Sequence, residues 1–353
     1  MMNIKSFLQW FLLSKEPKAL RLRQVIRISV VLGLFALLFW VIPIQEVFQV
    51  LVVTNPWLFA LGVVFGLLTI YLSAIQMLPL TRNQGIQRGI LQIFSINLAV
   101  KFYNLLTPTT LVGSGIRWYR LAQPEGKVVE AFVALAFFRL FETFLTLVMG
   151  SGFLLISTQD AIHVSASWTL LLILVIIFTW VLITRFSLPI YAWLKAHTGS
   201  LTDHHLLRRF FKSVEKILST ASQYAKMPAS GLLLMVTSGI VSALCGIISG
   251  MFLAKAIGIN LDFLDLGWIQ AVVSLAAQLP FTMAEGLGVR EVTLVAMLSL
   301  FNISAAQALA FSLLIFARSV IIALIGGILE AVQAIRAGRV TRPEVIQQNT
   351  NEI

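Results

Sequence analysis

Apolar residues run along this chain in long blocks, not in the short rhythm of a half-buried strand or a surface helix. Six blocks approach the roughly 20 mostly apolar residues that a bilayer crossing takes: about 25–42, 57–80, 131–157, 168–187, 229–257 and 306–335. Two more, 90–106 and 267–279, are shorter, and each runs into a break rich in proline and glycine. The blocks predict an all-α polytopic membrane bundle. The basic N-terminus followed by an apolar run resembles a signal peptide. Yet Pro43-Ile44-Gln45-Glu46 follows where a small-residue cleavage site would stand, so 25–42 reads as an uncleaved first span.

Charge orients the blocks. Lys5, Lys15, Lys18, Arg21, Arg23 and Arg27 precede or open the first span, and Arg82 and Arg88 follow the second. The segment 185–228 is basic throughout, with Arg208, Arg209, Lys212 and Lys216, and the tail carries Arg336, Arg339 and Arg342. The loops 43–56, 158–167 and 258–266 hold no Lys or Arg. Basic loops stay in the cytoplasm, so both termini are expected inside. The same parity makes 90–130 enter and return on the inner side, and 267–305 on the outer side. The prediction is six full spans plus two re-entrant hairpins. Residues 1–24 form a basic cytoplasmic N-terminus, 25–335 the transmembrane domain and 336–353 a cytoplasmic tail. Within the domain, repeat one covers about 25–157 and repeat two about 168–335, the latter with a basic cytoplasmic segment at 188–228.

Composition agrees. Of 353 residues, 58% are hydrophobic and 12% charged, against about 25% charged in soluble domains. The net charge of +11 lies mostly in loops, so topology explains it and no nucleic-acid partner is expected. The single cysteine, Cys245, excludes a disulfide within the chain and reads as a packing residue. His197, His204 and His205 lie in the basic segment without a convincing set of cysteine or acidic ligands, so no metal is expected. Leu206, Leu207, Phe210, Phe211, Val214, Ile217 and Leu218 recur at helical spacing, which fits an amphipathic helix on the membrane face or a plain connector.

The two breaks match each other. Residues 106–117 read LTPTTLVGSGIR and 279–290 read LPFTMAEGLGVR. Pro108 meets Pro280, and Gly113-Ser114-Gly115-Ile116-Arg117 meets Gly286-Leu287-Gly288-Val289-Arg290. Downstream, Phe137-Phe138-Arg139 corresponds to Phe316-Ala317-Arg318, followed by Gly150-Ser151-Gly152 and Gly326-Gly327. An odd number of full spans separates the copies, so they are inverted, with Pro108, Gly113, Gly115, Pro280, Gly286 and Gly288 forming the hairpin tips. Inverted repeats with broken helices at the midplane are a transporter arrangement.

At these residues the chain resembles the lysylphosphatidylglycerol synthase transmembrane region family of flippase-like membrane proteins. LPFTMAEGLGVRE at 279–291 carries it best, with a proline, then glycines, then an Arg-Glu pair, and the likeness extends over about 25–335. The resemblance implies lipid or lipid-linked substrates, a role in moving them between leaflets, and the cytoplasmic (inner) membrane as location. A stand-alone member without the soluble synthase domain is expected.

Charges at membrane depth are candidate chemistry. Lys101, Arg117, Arg139, Glu142, Glu285, Arg290, Glu291 and Arg318 fall in or beside apolar blocks. Each costs at least about 2.5 kcal/mol at a helix centre, so they should face the bundle interior. Five are basic and three acidic, and the excess points to a visiting anion. Arginine grips phosphate bidentately through its fork, so Arg117, Arg290 and Arg318 are the expected head-group ligands. Glu285 and Glu291 would hold the arginines when lipid is absent. Arg139 and Glu142, three apart on one helix face, either join this site or pair to fix packing. The chain shows no P-loop, no HExxH and no Ser/His/Asp set, so neither a cofactor nor enzymatic activity is expected.

Three functions compete at this point: a flippase for an anionic or lipid-linked substrate, an accessory subunit for an envelope glycosyltransferase or lipid-synthesis enzyme, and a membrane transferase using buried glutamates.

Overall fold

The computed structural model describes residues 54–106, 110–123, 125–157, 223–277 and 289–340, with isolated positions 52, 174 and 220. Among the described residues the chain is all-helical. Its helices are α1 (Pro56–Asn83), α2 (Ile90–Leu106), α3 (Thr110–Ala122), α4 (Val128–Ile156), α5 (Ala229–Ala256), α6 (Phe263–Ala276), α7 (Val289–Ser299) and α8 (Ala305–Val340). A short 3-10 turn, Gln223–Lys226, precedes α5. The expected spans 25–42 and 168–187, most of segment 188–228, and both hairpin turns lie outside the described residues.

Four helices, α1, α4, α5 and α8, are long and apolar enough to cross a membrane. α1 has 28 residues, roughly 42 Å at 1.5 Å per residue, so it outspans a hydrocarbon core of about 30 Å. It starts where Asn55 accepts hydrogen bonds from the Trp57 and Leu58 N–H groups, with Pro56 at the first helical position. α1 and α5 end alike. Gly85 and Gly258 both take positive φ, at 71° and 79°, and Ile86 and Ile259 each donate back to a carbonyl five residues earlier, Thr81 and Ala254. This is the glycine stop that leaves the chain free to turn back. The outward faces of the long helices stay apolar: Leu61, Val64, Leu233 and Val241 are exposed, as a lipid solvent allows.

α1 and α5 are each followed by a helical hairpin. α2 leaves the end of α1, and α3 returns to it. The two feet are tied together: Arg88 Nη2 donates to the Arg120 carbonyl at 2.7 Å, and the Gln87 N–H donates to Glu125 Oε1 at 3.3 Å. Near the turn, a Cβ on Gly113 of α3 would collide with the Asn104 side chain of α2, so glycine sets the approach of the two arms. α6 and α7 form the second hairpin, with Leu266, Ile269, Leu294 and Leu298 in one core and Trp268 stacked near Phe301 at 6.1 Å. Gly113 and Gly115 lie inside α3, in the returning arm rather than in the turn where the sequence placed them.

The packing scheme is two-fold. Exchange α1 with α5, α2 with α6, α3 with α7 and α4 with α8, and every substantial helix–helix contact maps onto another. α1 against α5 maps onto itself. α2 against α8 maps onto α6 against α4. Small residues permit the close crossings. α1 and α5 each carry a G-x-x-x-G, Gly62–Gly66 and Gly246–Gly250, a spacing that lets backbones approach in lipid. Ser249 donates to the Gly62 carbonyl at 2.6 Å across this crossing. A Cβ on Gly326 of α8 would strike the Leu98 carbonyl of α2, and one on Gly150 of α4 would strike Ala271 of α6.

Candidate functional site

α3 is short and amphipathic, and it carries Arg117 toward α4. The guanidinium lies over the Phe138 ring, 5.7 Å from its centre, a cation–π contact that strengthens away from water. Arg117 is half-buried, and its Nε is enclosed without a hydrogen-bond partner. Glu142, one turn beyond Phe138 on α4, attracts Arg117, while Arg139 repels it. Glu142 also feels the charges of Arg139 and Lys101. It forms an ion pair with Arg139, at 3.8 Å. Arg139 departs from expectation. Its side chain is 60% exposed, so it flanks the cluster rather than facing the bundle interior. A side chain this long can bury its stem and still send its head outward, which sequence position does not reveal.

α2 presents a polar stripe toward the same region. Asn97, Lys101 and Asn104 fall on one helix face, four and three residues apart. Asn97 is buried with neither amide atom hydrogen-bonded, and Asn104 Oδ1 is likewise enclosed without a partner. Buried amides left this way destabilise a fold by about 1–3 kcal/mol each unless water or a ligand meets them. Lys101 also lines a small cavity of about 60 Å³ with Gly66, Thr69, Ile70, Arg318, Ser319 and Ile322. Arg318 reaches across it, and its Nη1 donates to Ser249 Oγ at 2.7 Å. Gly66 makes room for the Arg318 stem. Arg318 therefore turns inward as expected, although its sequence counterpart Arg139 does not.

In the second half the arginine is sealed. Arg290 on α7 is 5% exposed, and its Nη2 meets Glu291 Oε1 at 2.8 Å. Arg290 Nε donates to Ser312 Oγ of α8 at 3.1 Å, and that hydroxyl donates to Glu291 Oε1 at 2.7 Å. Phe316 lies under the guanidinium, 5.8 Å from centre to carbon. Arg290 and Glu291 thus form a closed pair. Glu285, Pro108, Pro280, Gly286 and Gly288 lie outside the described residues.

Several participants escaped the sequence reading. Ser312 and Ser249 are ordinary serines in apolar runs. Arg120 and Glu330 form an ion pair that joins α3 to α8, with Glu330 almost wholly buried. A signal existed for both: Arg120 follows Arg117 by one turn, and Glu330 is a lone acid inside an apolar block. Asp265 was read as a loop acid but is buried in the first turn of α6, accepting from Ser157 Oγ at 2.5 Å.

Among known proteins, the chain matches the family described as Lysylphosphatidylglycerol synthase TM region, over residues 24–327. No curated protein and no solved structure matches it.

Proposed function

The chain belongs to the lysylphosphatidylglycerol synthase TM region family, and from that premise we propose that it moves an anionic phospholipid or lipid-linked precursor between the leaflets of the inner membrane. The two halves act as an inverted repeat, with both termini cytoplasmic and each hairpin re-entrant. The head-group phosphate binds in the first half, at Arg117, assisted by Lys101 and Arg139. Arg318 lies beside them, across the small cavity.

One observation carries this reading: a half-buried arginine whose Nε has no hydrogen-bond partner, held against an aromatic face at the base of a broken hairpin. A guanidinium so placed retains donors for a phosphate, and two parallel N–H···O bonds fix the orientation of the anion. Glu142 is the resting counter-charge. When phosphate arrives, Arg117 and Arg139 turn from the carboxylate to it, so the local charge stays compensated in both states. The stripe of Asn97 and Asn104 offers amides to the polar remainder of the head group, while the acyl chains stay in lipid. No nucleotide site is involved, so transport is uncoupled, gradient-driven or driven by a partner.

The test is transport of fluorescent phosphatidic acid in vesicles containing the purified protein. Arg117→Ala should reduce the rate to that of protein-free vesicles, and Arg117→Lys should keep part of it. An accessory subunit for a lipid-synthesis enzyme would move no lipid in this assay. A folded Arg117→Ala protein that works at the parent rate would refute the phosphate site.

A further inference from the structure

The loop between α1 and α2 opens onto a second cavity, away from the membrane-depth cluster. It measures about 500 Å³ and is lined by Arg82, Gly85, Gln87, Arg88 and Gly89. That volume suits a small-molecule head group. Arg88 uses Nη2 on the Arg120 carbonyl, but its Nε is enclosed without a partner. The exposed Arg82 side chain makes no hydrogen bond or ion pair among the described residues. Lys127 stands beside them, with Nζ donating to the Gly85 carbonyl at 2.9 Å. Among the described residues, the acid of this neighbourhood is Glu125, and its carboxylate is engaged by the Gln87 N–H. Among those residues three cations thus meet one acid. Gly89 faces open space, since a Cβ there would meet nothing within 4 Å, whereas Lys127 Nζ lies against Gly85.

We infer that this cavity is a binding site for a phosphate ester at the membrane interface, with the head group of an acidic lipid as its occupant. α1 outspans the hydrocarbon core, so its last residues stand at head-group depth. Arginines at that depth attract acidic lipid by about 1 kcal/mol each. The site is distinct from Arg117. Among the described residues the two are joined by α2, which carries Lys101, and by α3, where Arg120 sits one turn from Arg117 and its carbonyl takes the Arg88 bond.

The experiment measures binding of phosphatidic acid and of phosphatidylcholine with the same chains, by native mass spectrometry. It is run on the full protein and on Arg117→Ala. Arg82→Gln removes an exposed side chain that holds nothing in place, so it should fold normally. It should lower the preference for phosphatidic acid about fivefold in both backgrounds. Arg88→Gln should give a similar loss, measured on whatever fraction folds without the Arg120 contact. Glycerol 3-phosphate separates the sources. Competition at millimolar concentration shows that the phosphate ester alone is read, and failure to compete while the arginine effect persists assigns the site to lipid. An unchanged preference in Arg82→Gln overturns the inference. So does a loss seen only when Arg117 is intact, because it would place the effect at the membrane-depth site. A failure of the transport proposal with the Arg82 effect intact would leave this site standing.

Discussion

The two halves of the molecule build the same motif and finish it differently. In each, a short returning helix lays an arginine over a phenylalanine of the next span: Arg117 over Phe138, and Arg290 over Phe316. Arg290 has an acid as its chain neighbour and a serine facing it, and these close into a triangle of bonds around Glu291 and Ser312. Arg117 is followed by Trp118 instead, which donates to the Val128 carbonyl. Its counter-charge stands across the helix boundary on α4, shared with other cations. One arginine is therefore a clamp between α7 and α8, and the other keeps capacity for an anion. The feet of the hairpins differ in the same sense, with Arg82 and Arg88 in the first half and Asp262 and Asp265 in the second. A shared scaffold holds its arginine closed in one half, and in the proposed function the other half binds the anion.

The comparison breaks most sharply at the clamp. Arg290→Ala leaves Glu291 half-buried beside Ser312, and we expect a loss of about 3 kcal/mol in stability. It would be read as a fall in thermal midpoint in detergent. Removing both charges together, as Arg290→Met with Glu291→Gln, should recover most of it, since the cost lies in the widowed charge. Equal losses in the single and double variants would show that the triangle acts by packing alone.

The glycine crossings rank next. A methyl on Gly326 meets the Leu98 backbone, which cannot rotate away, so Gly326→Ala should cost about 3 kcal/mol. Gly150→Ala meets the Ala271 methyl, where small shifts suffice, and about 1 kcal/mol is expected. The order of the two melting temperatures checks this. A reversed order would mean that the α2–α8 crossing gives way more readily than the α4–α6 crossing.

A third variant converts one half toward the other. Trp118→Glu gives Arg117 the neighbouring acid that Arg290 has, and transport should fall about tenfold with the protein still folded. Trp118→Gln controls for the lost bond to Val128 and should keep most of the rate. The smallest effect belongs to Arg139→Gln. The pair with Glu142 is exposed and long, so stability should change by less than about 0.5 kcal/mol. Only the transport rate should register it, and modestly.

How much of this was legible in the sequence follows from what each signal measures. Hydropathy placed α1, α2, α4, α5 and α8 to within a few residues, because lipid demands unbroken apolar length. It missed α3 as a helix, since Thr110–Ala122 is polar on one side and carries two glycines. Those glycines suggested a turn, yet both lie within α3, where Gly113 serves the approach to Asn104. α6 starts at Phe263, ahead of the apolar block at 267–279, because the acid in its first turn, Asp265, is buried and satisfied inside the fold by a serine donor. The matched G-x-G-[IV]-R segments revealed the pairing of halves. They could not reveal which arginine is sealed, because that depends on Ser312 and Glu142, partners far along the chain whose contact only the folded bundle creates. Equal motifs suggested equal roles, and the neighbours decide otherwise.

The division of labour between Arg117 and Arg290 is most directly tested at their own nitrogen atoms. Protein labelled with nitrogen-15 at arginine Nε would be titrated with short-chain phosphatidic acid, the resonances being assigned through Arg117→Lys and Arg290→Lys. The Arg117 Nε–H, which has no acceptor among the described residues, should shift and gain protection from exchange as lipid is added. The Arg290 Nε–H, already bonded to Ser312, should stay where it is. Movement of Arg290 with Arg117 unchanged would contradict the account and place the anion in the second half.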